Sequence, residues 1–188
     1  MKKVVLGLLF SGLLTVATTT HAQSTAPIES TEQVSSDNTT ADLYVRATDW
    51  AQNHFPKQPT TDFKSNASTH EVRVTGTSKV SPVNNAGKDL PTVLYLDFVF
   101  RTTAQGYVYL VNNFRVVTTA GKAVETKPLE DFITELAADH NDAKTHNSRR
   151  VTAQASSIAS EVALSFRSYM NNAPVTEDGT VGLPATEH

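Results

Sequence analysis

Two apolar segments carry the strongest pattern in the chain: residues 92–101 (TVLYLDFVFR) and residues 107–117 (YVYLVNNFRVV). Both are rich in β-branched and aromatic residues, which favour strands. The stretch between them, residues 102–106 (TTAQG), is polar and ends in glycine. The pattern therefore predicts a β-hairpin with a loop of about five residues.

One face of the predicted hairpin is apolar. Pairing Arg101 with Tyr107 would put the even-numbered positions of both strands on the same side, and all the large side chains there except Asn112 are apolar. That side is expected to be the core, and its members are Leu94, Leu96, Phe98, Phe100, Val108, Leu110, Phe114 and Val116. The odd-numbered side then faces away from the core.

Helical patterns lie on both sides of this hairpin along the sequence. Apolar residues recur at helical spacing from Leu43 to Phe55, and a strand is predicted over residues 71–80. A short helix over 128–138 and a long amphipathic helix over 148–170 follow the hairpin. Helices at both ends of an antiparallel sheet predict an α+β fold, a two-layer sandwich with the helices on one face.

Residues 1–22 have the pattern of a cleavable export signal. Lys2 and Lys3 precede an apolar run over residues 4–16, and small residues come just before Gln23. The apolar run is shorter than the roughly 20 residues that span a bilayer. We therefore expect an exported protein, periplasmic or secreted, with no membrane span after cleavage near Ala22. Because the chain has no cysteine, we also expect no lipid anchor.

Composition narrows the functional classes. Removal of Lys2 and Lys3 leaves 14 basic against 19 acidic residues, a net charge of −5. This acidic balance argues against a nucleic-acid partner. The lack of cysteine excludes disulfides, thiol catalysis and cysteine metal sites. We expect no cofactor and no metal ion.

The ends of the mature chain are polar. Residues 23–40 are dominated by Ser, Thr and acidic side chains and are predicted to be a flexible leader. Residues 171–188 contain two prolines and two glycines without any period, which is typical of a disordered tail. A single α+β domain is then expected over residues 41–170.

Several short motifs resemble a known bacterial family. They are LYVRATDW at 43–50, VTGT at 74–77, GYVY at 106–109 and Asn113-Phe114. In these motifs the sequence is similar to an exported domain-of-unknown-function family described as having a TATA-binding-protein-like (TBP-like) fold, and the resemblance covers residues 41–118. It implies a curved antiparallel sheet with helices packed on one face, and it implies no activity. DNA binding does not follow from the fold.

The odd-numbered face of the hairpin predicts a partner-binding patch of Tyr95, Arg101, Tyr107 and Tyr109. Tyrosine and arginine are enriched at interfaces, and Arg101 opposite Tyr107 can add a cation–π contact. The other interpretation is that the tyrosines form ordinary cross-strand pairs with their hydroxyls in water. The patch suggests a non-enzymatic binding or structural module of the cell envelope, whose partner is an envelope protein, a glycan or a small ligand.

An alternative hypothesis is a metal-dependent or hydrolytic periplasmic enzyme. Residues 139–146 (DHNDAKTH) hold the densest group of titratable side chains, and Asp142 and His146 lie four apart, on one face of a helix. The other interpretation of this cluster is a solvated connection between helices. No Gly-x-Ser-x-Gly elbow and no Gly-rich phosphate loop occur in the chain, so no catalytic residue is predicted.

The export signal generates a first prediction. Cleavage is expected after Ala22, because Thr20 and Ala22 are the small residues nearest the end of the apolar run. Intact-mass measurement of protein recovered from the cell envelope checks this. A mature product that still carries residues 1–22 would contradict both the signal and the predicted localisation.

Overall fold

Six antiparallel strands form one sheet in the computed structural model, which describes residues 27–56, 62–120 and 123–172. The strands run in the order β1-β5-β4-β3-β2, and β6 pairs with the C-terminal half of β5 on the same side as β1. The strands are β1 (Ser30–Ser35), β2 (Asp62–Asn66), β3 (Glu71–Val80), β4 (Thr92–Thr103), β5 (Gly106–Ala120) and β6 (Ala123–Pro128).

Four α-helices accompany the sheet in these described residues. They are α1 (Thr40–Asp49), α2 (Leu129–Ala138), α3 (Asp142–Thr145) and α4 (Asn147–Asn172). A π-helical turn (Trp50–His54) extends α1. The helices pack on one face of the antiparallel sheet, so the predicted α+β two-layer fold is confirmed. No helix in the described ranges is long and apolar enough to cross a membrane.

The core lies between the helices and the even-numbered residues of β3 and β4. At its centre the Phe166 ring from α4 lies 4.9 Å from the Phe98 ring and 5.0 Å from each of the Trp50 and Tyr109 rings, measured between centroids. Such edge-to-face pairs add to the free energy of burying the rings. The indole N–H of Trp50 donates to Ser165 Oγ at 3.2 Å, so the buried indole has a partner.

The start of α1 is fixed by a side-chain cap. Thr39 Oγ1 accepts a hydrogen bond from the Asp42 backbone N–H at 3.1 Å and donates to the Asp42 carboxylate at 2.7 Å. This satisfies one of the free N–H groups of the first turn and places a negative charge at the positive end of the helix dipole. The cap thereby fixes Thr39 as the residue after which α1 begins.

The register of the central hairpin differs from the predicted one. Thr103 pairs with Gly106, so the turn has two residues, and Phe98 and Phe100 pair with Val111 and Tyr109. Nearer the start of β4, Leu94 pairs with Val116, because one additional residue of β5 forms a β-bulge. The bulge contains Asn113, whose φ of 53° is in the left-handed region that asparagine tolerates.

The bulge reverses the side-chain parity of β5. Before it, Tyr107, Tyr109 and Val111 face the helices, and after it Phe114 and Val116 do so. Val108 and Leu110, which were predicted to be core residues, lie on the opposite face of the sheet and are half-buried. The prediction was wrong because it assumed one parity along the whole strand.

The prediction of a flexible leader over residues 23–40 is wrong for residues 30–40. Residues 30–35 form β1, which pairs with β5 from Gly106 to Val111, and Thr40 begins α1. β1 lies at an edge of the sheet and is held by its backbone hydrogen bonds to β5. Its sequence therefore does not need the alternating apolar pattern by which a strand is predicted. The backbones approach closely: a Cβ at Gly106 would lie 2.1 Å from the carbonyl oxygen of Val34, so only glycine fits there.

The domain extends beyond the predicted limits of 41–170. In the described residues its first element is β1 and its last is α4, which reaches Asn172. The predicted signal over 1–22 lies outside the described residues, and so do residues 173–188 of the predicted tail.

The core predicts a large difference between two aromatic residues of β4. Phe98 is fully buried and Tyr95 is half-buried on the opposite face. Phe98→Ala is expected to cost about 3–5 kcal/mol, because the cavity forms among Trp50, Tyr109 and Phe166. Tyr95→Ala is expected to cost clearly less. Denaturant unfolding of both variants measures this, and an equal or reversed order would contradict the assignment of the two faces.

Candidate functional site

The four residues of the predicted partner-binding patch do not lie together. Tyr107 and Tyr109 are buried on the helix side of the sheet, 3% and 0% exposed, so neither is available to a partner. Tyr95 and Arg101 lie on the opposite face. They are six residues apart on β4, about 20 Å at the rise of a strand. The patch is therefore not assembled, because the bulge turns the two tyrosines of β5 into the core.

Tyr109 instead joins three elements of the fold. Its hydroxyl donates to Glu32 on β1 at 2.5 Å, and Arg167 on α4 contacts the same carboxylate at 3.1 Å. Burial raises the pKa of Tyr109 well above its usual value, and the hydrogen bond to Glu32 adds to the effect. The Tyr109 phenol thus stays protonated and holds the edge strand onto the helical layer.

The sheet face opposite the helices has a buried carboxylate at its centre. We call this the open face; it carries Arg73, Tyr95, Asp97, Arg101 and Leu110. Asp97 is 6% exposed. Its carboxylate accepts from Thr75 Oγ1 at 2.9 Å, from Asn113 Nδ2 at 2.6 Å and from Arg115 Nη2 at 2.9 Å.

These three bonds compensate the burial of the Asp97 charge. They join β3, β4 and β5, and the bond from Asn113 holds the bulge. The side chains at the centre of the open face therefore have a structural role, because they connect three strands. Elsewhere on this face Arg101 Nε donates to Glu71 at 3.0 Å, so its guanidinium is already paired.

The titratable cluster at residues 139–146 forms the ends of helices. The Asp142 carboxylate accepts from the backbone N–H and the hydroxyl of Ser148, at 2.9 and 2.6 Å, and so caps the start of α4. Burial alone would raise the pKa of Asp142, but hydrogen bonds from Ser148 and Asn147 outweigh it and lower the pKa. His140 is almost fully exposed. In the described part of the chain no three His, Asp or Glu side chains are placed to hold a metal ion.

A cleft opens at the end of the sheet where β4 begins and β5 ends. Its volume is about 910 Å³. The walls are the loop over residues 81–91, the α2 helix and the segment that leads through α3 into α4. The apolar lining includes Leu90, Val93, Val117, Phe132 and Leu136, and the polar lining includes Asn84, Asn85, Asp139, Asn141 and Thr145.

Two apolar residues of this cleft are accessible to solvent. Leu90 is 47% exposed and Val93 is 36% exposed. Isolated surface leucines and valines are common. These two, however, line the same concave surface as Phe132 and Leu136, and a cleft of this size that combines apolar walls with polar groups is typical of ligand sites.

The loop over residues 81–91 is held in place by the start of α4. Asn147 accepts from the N–H of Val83 at 2.7 Å and donates to the carbonyl of Val83 at 2.8 Å. Arg150 donates to the Ser81 carbonyl at 2.9 Å and pairs with Asp89 at 3.1 Å. The cleft wall is thus formed before any ligand arrives, which lowers the entropy cost of binding.

A smaller cavity lies beside the cleft, next to its polar residues. Its volume is about 290 Å³. Five residues line both spaces, Val83, Asn84, Asn85, Asn141 and Thr145, and Lys144 lines only the smaller one. We call this second space the polar annex. Sequence reasoning missed the cleft and the annex because their walls come from three separate segments.

The chain is similar to known proteins in sequence and in fold. Residues 31–117 match the model of a family described as a domain of unknown function (DUF4468) with TBP-like fold. This chain carries a DUF4468 domain. The family predicted from the short motifs is thereby confirmed. No curated protein matches the chain.

Two crystal structures share the fold of this DUF4468 domain. One is a TBP-like protein from Parabacteroides distasonis ATCC 8503, with 15% identity, a TM-score of 0.56, and coverage of 79% of this chain and 95% of that one. The other is a DUF4468 family protein from Bacteroides ovatus ATCC 8483, with 14% identity, a TM-score of 0.52, and coverage of 80% and 90%. At these identities the likeness concerns the fold alone.

The matched DUF4468 residues include only part of the cleft. The loop and the walls from β4 and β5 lie within residues 31–117, whereas Phe132, Leu136 and Asn141 lie after them. The helical wall of the cleft therefore lies outside the matched segment.

The attachment of the loop gives a testable prediction. Asn147→Ala removes both hydrogen bonds to Val83, so it should lower the free energy of unfolding by about 1–3 kcal/mol. The amide of Val83 should also lose protection against hydrogen exchange. Asn85→Ala, an exposed position on the same loop, is the control and should change stability by less than about 0.5 kcal/mol. Unchanged protection of Val83 in Asn147→Ala would contradict this role.

Proposed function

We propose that this protein is a non-enzymatic binding module that works outside the cytoplasm, and that its ligand occupies the cleft. The observation that carries the proposal is the preformed cleft of about 910 Å³ with Leu90 and Val93 exposed on its rim. Known ligand pockets range from about 300 to 1,000 Å³ and combine apolar walls with a few polar groups.

Export is proposed from the sequence of residues 1–22, and the position of β1 is compatible with the cut. Seven residues separate Ala22 from Ser30, the first residue of β1. Cleavage after Ala22 would therefore leave the edge strand and its pairing with β5 intact. The proposed cut is compatible with the complete sheet.

The absence of catalysis is proposed from the use that the fold makes of its acidic groups. Asp142 caps α4, and Asp139 accepts from the backbone and side-chain N–H groups of Asn141 at 2.9 and 3.0 Å. These carboxylates already have structural partners. The cluster at residues 139–146 thus favours a helix connection over a metal-dependent or hydrolytic site.

The apolar lining indicates the main contribution to affinity. Burial of apolar surface contributes about 25 cal/mol per Å². Residues such as Leu90 and Phe132 can supply such surface without a change of fold, because the Val83 end of the loop is already bonded to α4. The polar groups between them would orient the ligand.

A neutral apolar dye tests the cleft. Titration of the mature protein with Nile red should give a saturable fluorescence increase. Leu90→Gln should weaken binding about threefold to tenfold, because it removes exposed apolar surface from the cleft without disturbing the core.

Leu164→Gln is the matched control. Leu164 is a leucine on α4, 63% exposed, that does not line the cleft. Its replacement should leave the dye affinity unchanged. Equal affinities of wild type and Leu90→Gln, or no saturable binding to wild type, would contradict the proposed site.

A further inference from the structure

We infer that the ligand of the cleft is a free single-chain amphiphile with one anionic head group, such as a carboxylate. This inference rests on the proposed function, since it assigns the chemistry of the same cleft. The apolar chain would lie against Phe132 and Leu136, and the head group would enter the polar annex beside Lys144.

The two spaces differ in polarity and are adjacent, since five residues line both. The larger one has apolar side chains from three elements, among them Val93 on β4 and Phe132 on α2. The annex is lined by Asn84, Asn85, Asn141, Lys144 and Thr145, together with Val83 and Gly87. A molecule that extends from one space toward the other therefore passes from apolar walls to polar residues.

Lys144 favours an anion in the annex. It is exposed, and within residues 27–56, 62–120 and 123–172 it forms no ion pair. The nearest acidic residues in sequence, Asp139 and Asp142, are bonded to Asn141 and Ser148. The Lys144 ammonium is thus the charged group in the annex that can meet a ligand charge, and the Asn85 amide can donate to the same head group.

The one acidic residue among the described residues that line the larger space, Asp139, does not favour a cationic ligand. Asp139 lines the larger space, but its Oδ1 accepts two hydrogen bonds from Asn141 and lies 3.5 Å from His140 Nδ1. Its negative charge is therefore already stabilised. The apolar space has no basic side chain in its lining, so among the described residues that line either space Lys144 is the one that offers a counter-charge to an anionic group.

Size favours a free ligand over a lipid held in a bilayer. Spaces of about 910 and 290 Å³ suit one drug-sized molecule. Arg150, which holds the loop over residues 81–91, is already paired with Asp89. A membrane-binding surface would instead present a cluster of unpaired basic residues.

Two probes that differ only in the head group test the inference. Dansyl-undecanoic acid carries a carboxylate, and its methyl ester carries none. Titration of the mature protein should show that Lys144→Gln weakens binding of the acid about fivefold, the effect of one exposed ion pair, and leaves the ester unchanged. Lys64→Gln, at an exposed lysine on β2 at the far edge of the sheet, should change neither.

Each other outcome has a separate meaning. If Lys144→Gln weakens binding of the acid and the ester equally, or weakens neither, the anionic head group is overturned. The proposed cleft would still stand in that case if Leu90→Gln weakens binding of the ester. No binding of either probe to wild type would overturn the cleft and this inference together. Binding only to sedimented vesicles of anionic phospholipid, lost in Lys144→Gln, would overturn the assignment to a free ligand.

Discussion

The carboxylate of Asp97 is the constraint on which the arrangement of the sheet depends. It lies on the open face, away from the helices, and is nevertheless buried. A buried charge of this kind is stable only when its lone pairs are satisfied. Asn113 satisfies one of them, and can reach it because the chain bulges there with a left-handed backbone.

The bulge in turn decides what the core contains. Without it, β5 would present either Tyr107 and Tyr109 or Phe114 and Val116 to the helices, but not both pairs. With it, both pairs are buried, and Tyr109 contacts Phe166. The bonds from Thr75 and Arg115 to the same carboxylate keep three strands in this register. One polar group thereby specifies an apolar interior.

Most of the architecture could be predicted from the sequence, because it depends on local periodicity. The alternation of β4 and the helical spacing of α1, α2 and α4 each occur within one element. The parity change in β5 was also present, as the shift from odd-numbered apolar positions up to Val111 to even-numbered ones from Phe114. Asn112 on the predicted core face was the sign of it. A prediction of the hairpin register that allowed one additional residue in β5 would have accounted for Asn112.

The strand β1 and the cleft were not predictable in the same way. β1 has a polar sequence, and its place comes from backbone pairing with Gly106–Val111 and from the Glu32 contact to Tyr109. The cleft joins residues as far apart as Pro82 and Asn147. Its walls meet through tertiary contacts such as that of Asn147 with Val83, which no spacing along the chain encodes.

The division of one side of β5 between β1 and β6 affects how this protein meets other copies of itself. A long unpaired strand edge is a template for intermolecular pairing and aggregation. Here that side is closed by two six-residue strands, and β2 on the opposite side has five residues, with Asp62 and Lys64 among them. Short and charged edges give a neighbouring chain little backbone to extend. The sheet can therefore keep one face clear of the described helices and still resist stacking edge to edge at high local concentration.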